Sequence, residues 1–389
     1  MPETPARSFK EIALSFLKVG ATAYGGPAIM GLMQAEFQVR RQWTTKPRFL
    51  EGLALVNVLP GATATQLGIF LGYVRGGWWG GLLAGLCFAA PAFVVMLALT
   101  LAYRAFGVSP ILRGALYGLG PVVLAIFFAA LVRLGRSALR SRTQWLIALG
   151  AAGITLVTPL GAAAILVLAG GLGLLLFHSR RAGAVVLGAL VVGLAVLARV
   201  APLSLMMSAA DAAPTLAGLA SLFAAIGAFT FGGGLTMIAL MQEHVVDRLH
   251  WLTPREFVDG LALGQLTPGP VLMLAAYVGY KVLGVSGAIV AATASFLPSF
   301  VLMLGLLPLF ERIRDLRWAK AVMQGLIPGV IGVMVVALVR MAPYAAPDPP
   351  AIVALVVTAA VLIVWRLAPL PAMAGGSVFG VLRTQPWVK

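Results

Sequence analysis

Four polar interruptions of apolar sequence hold the residues with chemical capacity. They fall at "YGGP" (24–27), "NVLPGATATQ" (57–66), "FGGG" (231–234) and "GQLTPGP" (264–270). Gly25, Gly26, Gly232, Gly233 and Gly234 permit close backbone approach and unusual φ. Pro60, Pro268 and Pro270 end hydrogen-bond ladders and release carbonyls. A helix beginning at membrane depth presents free N–H groups and a positive dipole end, which together suit an anion. Polar side chains flank the breaks: Asn57, Thr63, Thr65 and Gln66 around Pro60-Gly61, and Gln265 and Thr267 beside Gly269. Asn57 and Gln265 occupy equivalent places. The competing reading is that these residues are kinks and packing contacts in ordinary membrane helices. Lys18 is either an anion ligand or a side chain that snorkels to the surface. Glu51 and Asp259 either relay protons or favour a helix N-terminus. Glu36, Glu243 and His244 are further candidates for proton coupling.

The elements that must position these residues are membrane helices. The chain of 389 residues is 61% hydrophobic and 10% charged, against roughly 25% charged in a soluble domain. Runs such as 81–102 and 114–132 carry no charge and are near the roughly 20 residues that cross a bilayer. A β-barrel would alternate in polarity over roughly ten-residue strands, and no such pattern occurs. The fold class expected is an all-α polytopic membrane protein, multi-pass in the cell inner (plasma) membrane. The net charge of +16 is read as lysine and arginine on cytoplasmic loops, so no nucleic-acid partner is expected. The N-terminus shows no cleavable signal pattern, and the single cysteine, Cys87, allows no intrachain disulfide.

The sequence repeats itself at an offset of 207 or 208 residues. "VGATAYGGPAIMGLMQAEF" (19–37) falls on "IGAFTFGGGLTMIALMQEH" (226–244). Pro60-Gly61 meets Pro268-Gly269, Gly72-Tyr73 meets Gly279-Tyr280, and Arg133 meets Arg340. The expected organisation is an N-terminal repeat unit (1–143), a linker of three transmembrane helices (144–210), a C-terminal unit (211–345), and a membrane segment with tail (346–389).

Loop charge sets orientation. "RLGRSALRSR" (133–142) follows the helix over 114–132, whereas the basic "ERIRDLRWAK" (311–320) precedes its counterpart over 321–339. The basic end has changed sides, so the two units are expected to form an inverted-topology tandem repeat. "RRQWTTKPR" (40–48) and Arg75 flank one apolar segment, yet both favour the inside. That segment must then enter and return as a broken, re-entrant hairpin turning at Pro60-Gly61. The first segment is expected to do the same around "YGGP".

These motifs, with "WLTPREFVDGLALGQLTPGPVLMLAAYVGY" (251–280), resemble the chromate ion transporter family in its long, two-domain form. The resemblance spans both copies. It implies export of chromate from the cytoplasm, driven by the membrane potential or a proton gradient, and hence chromate resistance, with sulfate as a look-alike anion. Its glycine motifs fall on Tyr24, Gly25, Gly26 and Pro27, and on Phe231 through Gly234. Its PGP motifs fall on Pro60-Gly61 and on Pro268-Gly269-Pro270. Ala62 stands where the pattern has a second proline, a departure expected to loosen the first tip. The partners expected are chromate or sulfate, the lipid bilayer and a second copy in a homodimer. The alternatives are a sulfate or related oxyanion transporter and an anion channel. A membrane enzyme is the rival class, since "GVSG" (284–287) looks like an intramembrane protease serine motif. No histidine follows His250 to serve as its base, and no Walker A or HExxH motif occurs. No catalytic residue, cofactor or metal is expected.

Overall fold

The computed structural model describes residues 8–24, 26–106, 109–158, 160–200, 214–231, 234–309, 317–365, 367 and 369–384. Among them the regular structure is entirely helical. The helices are α1 (Phe9–Thr22), α2 (Gly26–Met33), α3 (Lys46–Val58), α4 (Thr63–Phe106), α5 (Pro110–Ala138), α6 (Arg142–Val157), α7 (Ala162–Phe177), α8 (Arg180–Val200), α9 (Leu216–Ala228), α10 (Leu235–Met241), α11 (Pro254–Leu266), α12 (Leu274–Leu306), α13 (Arg317–Ala345), α14 (Pro349–Ala360) and α15 (Pro369–Thr384). Four stretches are long and apolar enough to span a membrane: Thr63–Phe106, Pro110–Ala138, Val271–Leu306 and Trp318–Ala345. Side-chain caps start several helices where the sequence turns polar. Ser8 accepts from the Glu11 N–H, Thr45 from Arg48 and Asp348 from Ala351, and Ser141 with Gln144 forms a capping box. Each cap satisfies an N–H that the first helical turn leaves without a partner.

Local geometry recurs at the offset seen in the sequence. A π-helical turn over Gln34–Arg40 extends α2, and another over Gln242–Arg248 extends α10. Each is followed by a non-glycine residue at positive φ, Gln42 at 52° and His250 at 50°. Both longest helices bend sharply. Gly77 takes φ 66°, ψ −156° in α4, and Gly284 takes φ 66°, ψ −151° in α12. An L side chain rarely adopts that backbone. Beyond each bend the chain doubles back: Gly72 lies against the Gly80 carbonyl and Gly279 against that of Gly287.

The chain forms two compact units. Unit 1 comprises Met1–Ala102, Leu216–Gly234 and Leu263–Asp315. Its core holds Ile12, Phe16, Phe37, Phe49, Leu67, Phe70 and Phe88, all buried. Two antiparallel hairpins build it. Phe16 of α1 stacks on Phe37 with ring centroids 4.6 Å apart. Gly52 of α3 faces the Phe70 ring of α4. One carboxylate gathers the hairpin ends: Glu11 pairs with Arg41 at 3.1 Å and with Arg75 at 3.0 Å. Arg41 and Arg75 also both lie over Trp43. Basic residues from both ends of the apolar segment 49–74 therefore meet at one carboxylate.

Unit 2 comprises Tyr103–Thr215, Leu235–Ala262 and Leu316–Lys389. Two helix pairs in it use the same small-residue contact. Gly118 of α5 meets Gly376 and Gly380 of α15, and Gly325 of α13 meets Ala169 and Gly173 of α7. Lipid tails are as apolar as side chains, so membrane helices associate through such close backbone packing rather than by the hydrophobic effect. An arginine of α5 and one of α13 each reach a further element, the π-helical turn Val361–Trp365 that follows α14 and helix α6 respectively. Arg133 donates to the Leu362 carbonyl at 2.9 Å and Arg340 to that of Thr155 at 3.3 Å.

Candidate functional site

In unit 1 each proline–glycine tip is bonded to the break contributed by the other half of the sequence. The Gly61 N–H donates to the Thr230 carbonyl at 2.7 Å, and the Gly269 N–H donates to the Ala23 carbonyl at 2.6 Å. Both glycines sit in the left-handed region, Gly61 at φ 126° and Gly269 at φ 100°. The carbonyls at Ala23 and Thr230 are available because helices α1 and α9 stop just before them, at Thr22 and Ala228. The sequence reading placed free N–H groups where helices begin and counted the tip residues among the walls of an anion site. In the structure the tip N–H groups are bonded to carbonyls from the other half.

The two tips differ at the next residue. The Ala62 N–H donates to the buried Ser299 hydroxyl at 2.9 Å. In the other half Pro270 has no N–H to give, and Ala92, which lies against Gly269, has no hydroxyl to receive one. Ala62 was expected to loosen its tip. The bond to Ser299 fastens it.

Two buried polar side chains at the start of α4 retain unused capacity. Gln66 and Thr65 are both 0% exposed. Gln66 Nε2 donates to the Pro60 carbonyl at 2.6 Å, while Gln66 Oε1 and Thr65 Oγ1 have no hydrogen-bond partner. Such groups cost roughly 1–3 kcal/mol when left unmatched in a protein interior. They lie in the first turn of a long helix, where N–H groups point outward and the dipole is positive. Thr63, also buried, belongs to the same turn. Around the other tip Thr267 is buried and donates to the Leu263 carbonyl at 2.9 Å and to Met96 Sδ at 3.4 Å. Met273 and Leu274, both buried and apolar, stand where the first tip has Thr65 and Gln66.

The remaining candidates lie variously. Pro60 is half-buried, and Pro268, Pro270, Phe231 and Gly234 are buried, Gly234 at φ 93°. Asn57 is exposed and donates to its own helix at the Leu53 carbonyl. Gln265 is half-buried, and Tyr24 and Lys18 are exposed, Lys18 on the side of α1 away from its buried residues Ile12, Ser15, Phe16, Val19 and Gly20. Gly26 and Pro27 open α2. Gly25, Gly232 and Gly233 lie outside the described residues.

The carboxylates proposed for proton coupling have separate surroundings. Glu51 pairs with Arg48 at 3.0 Å, and Glu36 with Arg40 and Arg41. In unit 2, Glu243 pairs with Arg248 at 2.6 Å and accepts the Ala162 N–H at 2.6 Å, capping α7. The His244 ring nitrogen Nδ1 is 2.9 Å from the Leu240 carbonyl. Asp259 is the most buried of them. It accepts from the Tyr103 hydroxyl at 3.0 Å and faces Arg255 Nε at 3.3 Å. Ser286, the serine of the protease-like motif, donates to the Leu283 carbonyl at 3.0 Å.

Sequence reasoning missed Ser299, Thr230, Ala23 and Tyr103. Ser299 was within reach, since it follows Pro298 as Ala92 follows Pro91 and is the polar member of that repeat pair.

Comparison with known proteins adds the following. A family model described as "Chromate transporter" matches residues 10–175 and 217–381. The chain is 32% identical over 381 residues to a chromate transport protein of Cupriavidus metallidurans, covering 97% of this chain and 94% of that protein. It is 34% identical to a probable chromate transport protein of Synechococcus elongatus, covering 79% of this chain and 78% of that one. It is 33% identical to a chromate transport protein of Pseudomonas aeruginosa, covering 90% and 84%. No solved structure matches the chain.

Proposed function

Because this chain belongs to the chromate transporter family, we propose that it is a secondary transporter exporting chromate from the cytoplasm across the inner membrane and conferring chromate resistance. Family membership and four long apolar stretches make it an integral membrane protein. The observation that carries the rest is the reciprocal closure of the tips, Gly61 to Thr230 and Gly269 to Ala23. Chromate is a tetrahedral dianion that backbone N–H groups can hold without a full positive charge. We read the closed tips as a resting arrangement in which carbonyls occupy the N–H groups. Parting of the tips frees the Gly61 and Gly269 N–H groups, and the anion takes the place of the two carbonyls. Thr63, Thr65 and Gln66 complete the site at the start of α4.

Two copies of opposite orientation suit this exchange, since each supplies the carbonyl that closes the other. The like contacts of Gly118 and Gly325 favour copies longer than the sequence reading assigned, reaching through α7 and α15 with α8 as the link. The two stretches matched by the family model support the same boundaries. Asp259 with Tyr103 is our candidate for proton coupling.

The test is uptake into proteoliposomes with chromate, sulfate and molybdate in competition, with and without a pH gradient. Saturable uptake inhibited most strongly by chromate is the expected result. Preferential competition by sulfate would make the protein a sulfate transporter. Ohmic conductance without saturation would make it a channel.

A further inference from the structure

We propose that unit 2 carries a second oxyanion site, in a cavity between α10, α11 and α13 that plays no part in the tip site. The cavity measures about 280 Å³ and is lined by Gln242, Asp247, Phe257, Arg340, Met341 and Tyr344 among others. That is at or below the roughly 300–1,000 Å³ of sites for drug-sized molecules, so its occupant is small. Phe257 and Met341 are buried and make an apolar floor. The polar groups are few and specific, as in a binding site rather than a gap in packing.

Two features point to an anion. Gln242 is 5% exposed, and its Oε1 has no hydrogen-bond partner. An acceptor left so is costly, and a half-turn of the amide exchanges Oε1 for Nε2, which sets N–H donors at that position for an anionic ligand. The second feature is Arg340. Its Nη2 donates to the Thr155 carbonyl at 3.3 Å, and its Nη1 meets Asp247 Oδ2 at 3.2 Å. The pair with Asp247 is single and half-exposed, not the bidentate fork that fixes an arginine firmly. The guanidinium thus keeps donors for a tetrahedral oxygen cluster, and Gln242 can turn its amide N–H groups toward the same ligand. Asp247 is the internal anion that an external one must displace.

The choice of ligand class rests on the oxyanion reading above, but the geometry does not. A free dianion and the phosphate of a lipid headgroup offer the same tetrahedral oxygens to Arg340. In copy one the corresponding places hold Gln34, bonded to Gln38, and Arg133, bonded to Leu362. Val39 stands there in place of Asp247.

The test measures stabilisation of the detergent-purified full chain by sulfate, read as the concentration giving half of the maximal shift in Tm. Asp247→Asn removes the competitor and should lower that concentration about tenfold, the usual scale for one charge-assisted contact. Arg340→Gln should abolish the response, and Gln242→Leu should raise the concentration several-fold. If Asp247→Asn leaves the binding of both sulfate and short-chain phosphatidylglycerol unchanged or weakened, the Arg340–Asp247 pair is a structural bridge and the proposal fails. The same series run with short-chain phosphatidylglycerol separates the sources. Tightening confined to the phospholipid assigns a lipid phosphate, and no tightening by either probe overturns the site. Proteoliposome transport is measured in parallel. Sulfate tightening in Asp247→Asn without chromate transport by the parent chain would sink the transport reading and leave the cavity standing. Normal transport with no tightening of either probe in Asp247→Asn would do the reverse.

Discussion

The Ala62 N–H is bonded to the Ser299 hydroxyl at 2.9 Å, although the two residues lie 237 apart in sequence. The other half has Pro270 and Ala92 in the corresponding places, lacking both the donor and the acceptor. The pair is therefore matched in each half, polar in one and apolar in the other. Ser299→Ala alone should leave a buried N–H unsatisfied and cost about 1–3 kcal/mol. Ala62→Pro together with Ser299→Ala copies the chemistry of the other half and should recover most of that loss. Thermal unfolding of the two single variants and the double variant measures the coupling.

Gly61 and Gly264 make a controlled comparison. At φ 126° an alanine at 61 is strained, and its Cβ would collide with Ser299 Oγ and with Gln66 Nε2. Gly61→Ala should cost roughly 1–3 kcal/mol and abolish chromate uptake while the protein still inserts. Nothing lies within 4 Å of a Cβ at Gly264, so Gly264→Ala should transport normally. Equal uptake by the two variants would contradict a tip mechanism.

Thr65→Val separates function from stability. The threonine hydroxyl is buried without a partner, so replacing it with an isosteric methyl should leave Tm unchanged or slightly raised. If Thr65 touches the anion, the same change should lower chromate uptake at least tenfold. A variant with reduced Tm and unaltered uptake would assign Thr65 to the fold instead.

Glu243 and Asp259 should part ways. Glu243→Ala removes the cap on α7 and should cost about 1 kcal/mol with no change in the pH dependence of transport. Asp259→Asn should change that pH dependence, and Tyr103→Phe should displace it in a graded way. Chromate uptake recorded as a function of pH distinguishes the two.

Asp348 caps α14 and receives the Tyr117 hydroxyl and Arg383. The Tyr117 bond, ahead of the Ala351 N–H and the Arg383 charge, holds its carboxyl below the usual range. A lowered carboxylate pKa stabilises the folded state above its unfolded value, and that contribution is lost as pH falls through the folded value. The Tm of the detergent-purified protein should therefore drop as pH falls below about 4, the unfolded value of an aspartate. Asp348→Asn keeps the cap and should flatten that part of the profile.

Much of this was legible from residue types. Gly, Pro and Trp recurring at one offset pointed to segments whose local geometry also recurs, the two π-helical turns and the positive-φ residues after them, because those residues mark backbone geometry rather than side-chain chemistry. Arginines 41 and 75 flank one apolar segment, and in the structure both pair with Glu11. The tip bonds were not legible. They run from backbone to backbone between residues far apart, and a carbonyl at Ala23 carries no sequence signature. Nor did the acids disclose their roles, since Glu243 and Asp259 read alike until Ala162 and Tyr103 stood beside them.

The interlocked tips also bear on how the chain is made. The first tip emerges from the ribosome long before Thr230 and Ser299 do. Until they arrive, the Gly61 and Ala62 N–H groups have neither of their final acceptors, and lipid offers no others. The first half must therefore wait in the membrane with its tip wet or held by the insertion machinery. Biogenesis of this protein is then a problem of timing, and its last step is the arrival of two acceptors for a hairpin inserted early.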